Sequence, residues 1–81
     1  MKILEIEIKK ILSKILKVKI SKIKDNLSMT SYPKWDSLNH LKLIIAIEGK
    51  FNISFKEKDV TQITSYKLIK LYLKKMGLKI L

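Results

Sequence analysis

The chain has no cysteine, no arginine, one proline and two glycines among its 81 residues. Without cysteine there is no disulfide framework and no thiol nucleophile, which fits a reducing compartment. His40 is the sole histidine and the carboxylates are scattered, so no metal-ligating set is evident. Scarce Gly and Pro beside 47% hydrophobic residues predict a compact, mostly helical chain. Long apolar runs are missing as well. The longest resemble Leu43 to Ile47, far short of the roughly 20 residues that span a bilayer. Lys and Glu punctuate Met1 to Lys10, unlike a secretory signal. The expectation is one small all-α domain over residues 1–81, monomeric and cytoplasmic, stabilised by helix packing alone.

Acidic residues are also few: seven against 18 basic ones, all lysine, for a net charge of +11. Such an excess raises nucleic-acid or anionic-membrane binding as a functional class. The missing arginine argues against it, because the planar guanidinium is the preferred tool for phosphate and guanine recognition. A Lys- and Ile-rich, Arg-free composition is explained more simply by AT-rich coding. Tyr32, Tyr66 and Tyr72 do not interleave with lysines as a base-stacking platform would, and read as core edge. No dedicated nucleic-acid partner is expected.

Leu4, Ile8, Ile11, Leu12, Ile15 and Leu16 follow the spacing of an amphipathic helix, with Lys9, Lys10, Lys14 and Lys17 opposite. From Val18 to Lys34 that period fades and Ser, Asn, Asp, Thr and Pro33 accumulate, which predicts a long ordered loop pinned by Ile20, Ile23, Leu27 and Met29. A second helix is expected from about Ser37 to Lys50, apolar beyond a single stripe, with Gly49 and Asn52 bracketing its stop. Lys56 to Ile63 reads as a short helical turn. Thr64 or Ser65 then caps a last helix that carries Leu68, Ile69, Tyr72, Leu73 and Met76 and stops near Gly77. The outline is three main helices, one short helix and a long first connection.

Trp35-Asp36-Ser37-Leu38 sits where the polar stretch ends and the second helix begins. A serine there is exposed at the positive end of a helix dipole, which suits attachment of a phosphate. Two other readings compete: Ser37 as a plain helix cap, and Ser37 as a hydrolase nucleophile with His40 three positions on. The hydrolase lacks a Gly-x-Ser-x-Gly elbow, an oxyanion signature and an orienting third group. His40 itself is expected at the surface, next to whatever Ser37 carries.

Asp36-Ser37-Leu38, the apolar helix after it, then Ile47-Glu48 and Phe51, resemble the acyl carrier protein family. The likeness runs from about Glu5 to Leu73, through Lys9 to Leu12, Asp25 to Met29, Phe51 to Phe55, and Asp59-Val60 to Tyr72-Leu73. It implies an antiparallel helix bundle, without enzymatic activity, whose serine receives 4′-phosphopantetheine from coenzyme A. That arm ends in a thiol, so it would supply the sulfur this chain lacks. By position, Ser37 is the implied attachment point and Asp36 a contact for the phosphopantetheinyl transferase. Leu38 and Ile45 would face partners, and Leu41 and Ile44 would line the space beside the arm. The implied partners beyond the transferase are acyl- or aminoacyl-loading ligases and acyltransferase-type enzymes.

Two departures stand out. The family's second helix is usually acidic, whereas here Lys42, Gly49 and Lys50 leave only Glu48 acidic, which points to specialised partners instead of housekeeping fatty-acid synthesis. The usual Gly before the motif is replaced by Lys34-Trp35. Trp35 either packs over the base of the arm or shields the helix start, the second being the commoner role of a large aromatic. The competing class is a basic interaction module that binds nucleic acid or anionic membrane without covalent modification.

Overall fold

In the computed structural model, which describes all 81 residues, the apolar stripe of the first segment becomes helix α1, Glu5–Leu16. Ile8, Leu12 and Leu16 are fully buried, each worth about 1.5–3 kcal/mol in removed apolar surface. Leu4 lies one residue outside the helix and is half exposed. Its backbone N–H is accepted by the Glu7 carboxylate at 3.2 Å, half of a capping box, since leucine offers no acceptor in return. α1 packs chiefly on α2, Ser37–Phe51. The short helix α3, Glu57–Val60, and the last helix α4, Tyr66–Lys75, complete the expected all-α bundle of three main helices and one short one.

The connection from Lys17 to Asp36 is ordered, as its scattered apolar residues predict. It contains one 3-10 turn, Ile20–Lys22, and its Val18, Ile23 and Leu27 are buried, whereas Ile20 faces solvent. Backbone bonds from Met29 N–H to Thr64 O (3.0 Å) and from Tyr66 N–H to Leu27 O (2.9 Å) fasten it to the start of α4. The Tyr32 hydroxyl donates to Leu16 O at 3.0 Å, satisfying a carbonyl that the end of α1 leaves open. α4 starts at Ser65, whose hydroxyl accepts Leu68 N–H at 3.1 Å, and the chain turns after it at Gly77 with φ +91°.

A feature absent from the expected outline joins the two ends of the chain. β1, Lys2–Ile3, pairs in parallel with β2, Lys79–Ile80. Leu81 O then accepts Glu5 N–H at 2.7 Å, which occupies a free donor in the first turn of α1. Ile3 and Leu78 are buried beneath this clasp.

Tyr66, expected at the core edge, is 1% exposed. Its hydroxyl donates to Glu5 Oε2 at 2.6 Å, and Lys70 Nζ lies 3.3 Å from the same oxygen and 2.8 Å from Asp25 Oδ1. One cluster thus ties α1, the long loop and α4. The Tyr66 hydrogen bond, opposed by burial and helped by Lys70 and Lys9, holds Glu5 below its ordinary range. The Lys70 hydrogen bond does the same for Asp25. Burial works against the Lys70 charge, but its bonds to Asp25 and Glu5 outweigh it and the ammonium is held above its usual range. Because both carboxylates titrate lower in the folded chain, their contribution is complete above about pH 5 and is lost as pH falls through about 4 and below. The Glu5 side chain is 36% exposed, so solvent screening limits the Tyr66–Glu5 contribution to about 1 kcal/mol at neutral pH. Tyr66→Phe is expected to lose that amount and to flatten the acid limb of stability in urea denaturation across pH. Parallel acid limbs in parent and variant would contradict this origin.

Candidate functional site

Asp36, not Ser37, is the N-cap of α2: its Oδ1 accepts Asn39 N–H at 2.9 Å. Asn39 returns its side-chain amide to Lys34 O at 2.8 Å, and His40 N–H bonds Asp36 O at 2.8 Å. Ser37 is therefore the first helical residue, exposed, and its hydroxyl takes no part in the capping bonds. The backbone N–H groups of Ser37 and Leu38 have no protein partner either. A free hydroxyl thus stands beside two free donors at the positive end of a 15-residue helix, an arrangement that favours a phosphate by about 0.3–1 kcal/mol.

Two expectations fail behind that serine. His40 is 7% exposed, not a surface residue. It lies on the inner stripe of α2 with Leu43, Ile44, Ile47 and Phe51, and its spacing of three, four, seven and eleven from those apolar positions is the signal that would have found it. Trp35, 1% exposed, donates its Nε1–H to His40 Nδ1 at 3.0 Å, and His40 Nε2 lies 2.7 Å from Val60 O. Nδ1 accepts, so Nε2 carries the proton and donates to the carbonyl. Both nitrogens are engaged away from Ser37, which rules out the serine–histidine pair of a hydrolase.

Trp35 belongs to the core, so it anchors the helix start from within. Ile44 is likewise buried in the core, 4% exposed, and does not line the space beside Ser37. That space is an open groove of about 450 Å3 between α2 and α3, lined by Ser37 with Met29, His40, Leu41, Val60, Thr61 and Thr64. Leu38, Leu41 and Ile45 form an exposed apolar ridge along α2 at 62%, 53% and 67%. Lys34 and Lys42 flank it, while Glu48 is turned inward, its Oε2 accepting Phe55 N–H at 2.8 Å. Salt bridges engage only Lys70 among the lysines, so the cationic excess lies at the surface. No helix is long and apolar enough to cross a membrane.

The free hydroxyl, the two free N–H groups and the adjoining groove fit a covalently attached phosphate arm such as 4′-phosphopantetheine. Ser37 would carry it, the Ser37 and Leu38 N–H groups would face its phosphate, and Thr61 and Thr64 offer hydroxyls along the groove.

No protein-family model matches the chain. It is 41% identical over 61 residues, 75% of its own length and 77% of the relative's, to an acyl carrier protein of Buchnera aphidicola subsp. Schizaphis graminum. Among solved structures, a candidate acyl carrier protein from Mycobacterium tuberculosis superposes with a TM-score of 0.79 at 22% identity, over 89% of this chain and 96% of that one, a likeness of fold. With a close-spaced relative across three quarters of its length and the same helix bundle, the chain belongs to the acyl carrier protein family, whose members are carriers and not enzymes.

Proposed function

We propose that this protein is a monomeric, cytoplasmic carrier that bears 4′-phosphopantetheine on Ser37 and presents an acyl or aminoacyl group to the enzymes of a specialised biosynthetic pathway. The observation that carries the reading is the unengaged Ser37 hydroxyl at the first position of α2, beside an open groove. Asp36 caps the helix, so Ser37 is free of structural duty. When bound, the arm supplies the thiol on which cargo is held as a thioester, a sulfur the chain does not have.

The residues of the chain then divide the remaining work. Ser37 Oγ is the nucleophile that displaces 3′,5′-ADP from coenzyme A on a phosphopantetheinyl transferase, with Asp36 within the transferase's reach. Trp35 and His40 tie the start of α2 to Val60, so Ser37 would offer an arm a fixed attachment point. The ridge of Leu38, Leu41 and Ile45 gives ligases and acyltransferase-type enzymes a place to dock one or two turns from that base. Tethering raises the cargo's effective concentration at each partner's active site. The lysines around the ridge and the inward-turned Glu48 support partners other than those that read an acidic helix.

Incubation with coenzyme A, magnesium and a broad-specificity phosphopantetheinyl transferase is expected to add one phosphopantetheine to the intact mass. No addition with several transferases, on folded protein, would overturn the proposal and favour the basic interaction module. A module of that kind would show binding to polyanions that falls steeply with salt.

A further inference from the structure

His40 lines the groove beside Ser37 and is the one lining residue there that is buried, 7% exposed. Its imidazole is fixed from two sides, by the Trp35 N–H on Nδ1 and by Val60 O on Nε2. Beside it lies the Trp35 ring, 1% exposed, with ring centroids 6.2 Å apart, and Leu43, Ile44 and Ile47 of the same inner stripe of α2 are buried at 1%, 4% and 0%. The lining of the groove stops at His40 and includes none of Trp35, Leu43, Ile44 or Ile47. The walls that remain are mixed. Met29, Leu41 and Val60 are apolar, whereas Thr64 presents a hydroxyl without a protein partner and Thr61 offers lone pairs while its own proton goes to Lys58 O.

We infer that His40 is a specificity-determining residue that closes the route from the Ser37 groove to the core, so that this carrier holds short, hydrogen-bonding cargo on its surface and leaves long alkyl chains unburied. The inference rests on the carrier reading, and it concerns the cargo class alone. An alkyl chain that entered the bundle past His40 would displace a buried imidazole from both of its partners, leaving the Trp35 N–H and Val60 O without them. Within the open groove its methylenes would lie against threonine hydroxyls and solvent. A hydroxyacyl or aminoacyl group, in contrast, finds both acceptors and a donor there.

The test uses the full chain loaded by a phosphopantetheinyl transferase with acetyl-, 3-hydroxybutyryl- or octanoyl-coenzyme A, with loading verified by intact mass. Isoleucine methyl spectra and thermal midpoints are then compared for the parent, His40→Ala and His40→Gln. In the parent, octanoyl and acetyl forms are expected to share the same Ile44, Ile47 and Ile63 methyl positions and the same midpoint. In His40→Ala, the octanoyl form is expected to move those methyls and to melt several degrees above its own acetyl form, because burying the chain now stabilises the fold. His40→Gln, which can still accept from Trp35 and donate to Val60, is expected to behave as the parent does. Its spectrum also keeps the test decisive should His40→Ala fold poorly. An octanoyl chain that moves the core methyls of the parent or of His40→Gln would overturn the inference. Failure of every coenzyme A thioester to load would instead overturn the carrier reading.

Discussion

Ser37→Ala is expected to abolish phosphopantetheine loading completely while leaving the fold as stable as the parent. The separation follows from the capping geometry. The α2 cap belongs to Asp36 Oδ1, which holds Asn39 N–H at 2.9 Å, and the Ser37 hydroxyl is exposed and contributes no bond to the helix. Removing it deletes the nucleophile and nothing structural, and alanine is the better helix former, so the stability change should stay within about 0.5 kcal/mol. A true N-cap serine would cost about 1 kcal/mol on truncation to alanine. Urea denaturation beside intact mass therefore separates the two roles: loss of loading with stability retained supports attachment at Ser37. Loss of about 1 kcal/mol or more with loading intact would return Ser37 to the role of a cap.

Trp35→Ala is expected to have the largest effect on stability of any single substitution. Trp35 is the largest fully buried side chain, and its N–H is the partner of the buried His40 Nδ1. Truncating a buried aromatic costs about 3–5 kcal/mol, and stranding a buried acceptor adds about 1–3 kcal/mol. A chain of this length has a total stability of about 4–12 kcal/mol, so the variant should be largely unfolded under mild conditions. Trp35→Phe keeps most of the volume and removes only the donor. It should lose about 1–3 kcal/mol and remain folded, which gives a measurable point if the alanine variant cannot be purified. A loss below about 1 kcal/mol for both, by denaturation followed with circular dichroism, would contradict the anchoring role. The same link carries Val60 and the α3 side of the groove, so Trp35→Phe should also slow loading at Ser37 without abolishing it.

Much of this molecule is written in local patterns. The stripe of Ile8, Leu12 and Leu16 marks α1, Asp36-Ser37 marks the start of α2, Asn52 and Gly77 mark stops through their left-handed backbones, and Ser65 marks the cap of α4. Each of these depends on residues within a turn or two of one another, where periodicity and capping chemistry act. The pieces that were not legible depend on distant partners. The clasp of Lys2–Ile3 with Lys79–Ile80 uses two-residue strands with no pattern of their own, and the Glu5–Tyr66–Lys70–Asp25 cluster joins residues more than 40 positions apart.

The candidate site shows the same division. Ser37, Leu38 and Ile45 stand exposed along α2 and Leu41 lines the groove, as the family resemblance implies. His40 and Ile44 are placed by what packs against α2, and there the polar chemistry of histidine misleads: an imidazole whose two nitrogens are both satisfied is as much at home in a core as an aliphatic side chain. Whether Asp36 or Ser37 caps the helix is likewise settled by backbone geometry, since both residue types cap well.

The most direct test of the carrier reading is to map the attached group. After loading with coenzyme A, magnesium and a broad-specificity transferase, the protein is digested and the modified peptide fragmented to locate the added phosphopantetheine. The chain has seven serines, so the position is informative. The expected result is a single modification on the peptide containing Trp35 to Leu38, with the phosphodiester on Ser37 and every other serine unmodified. A modification placed on any other residue, or spread over several, would contradict the assignment of Ser37 as the point from which this protein carries its cargo.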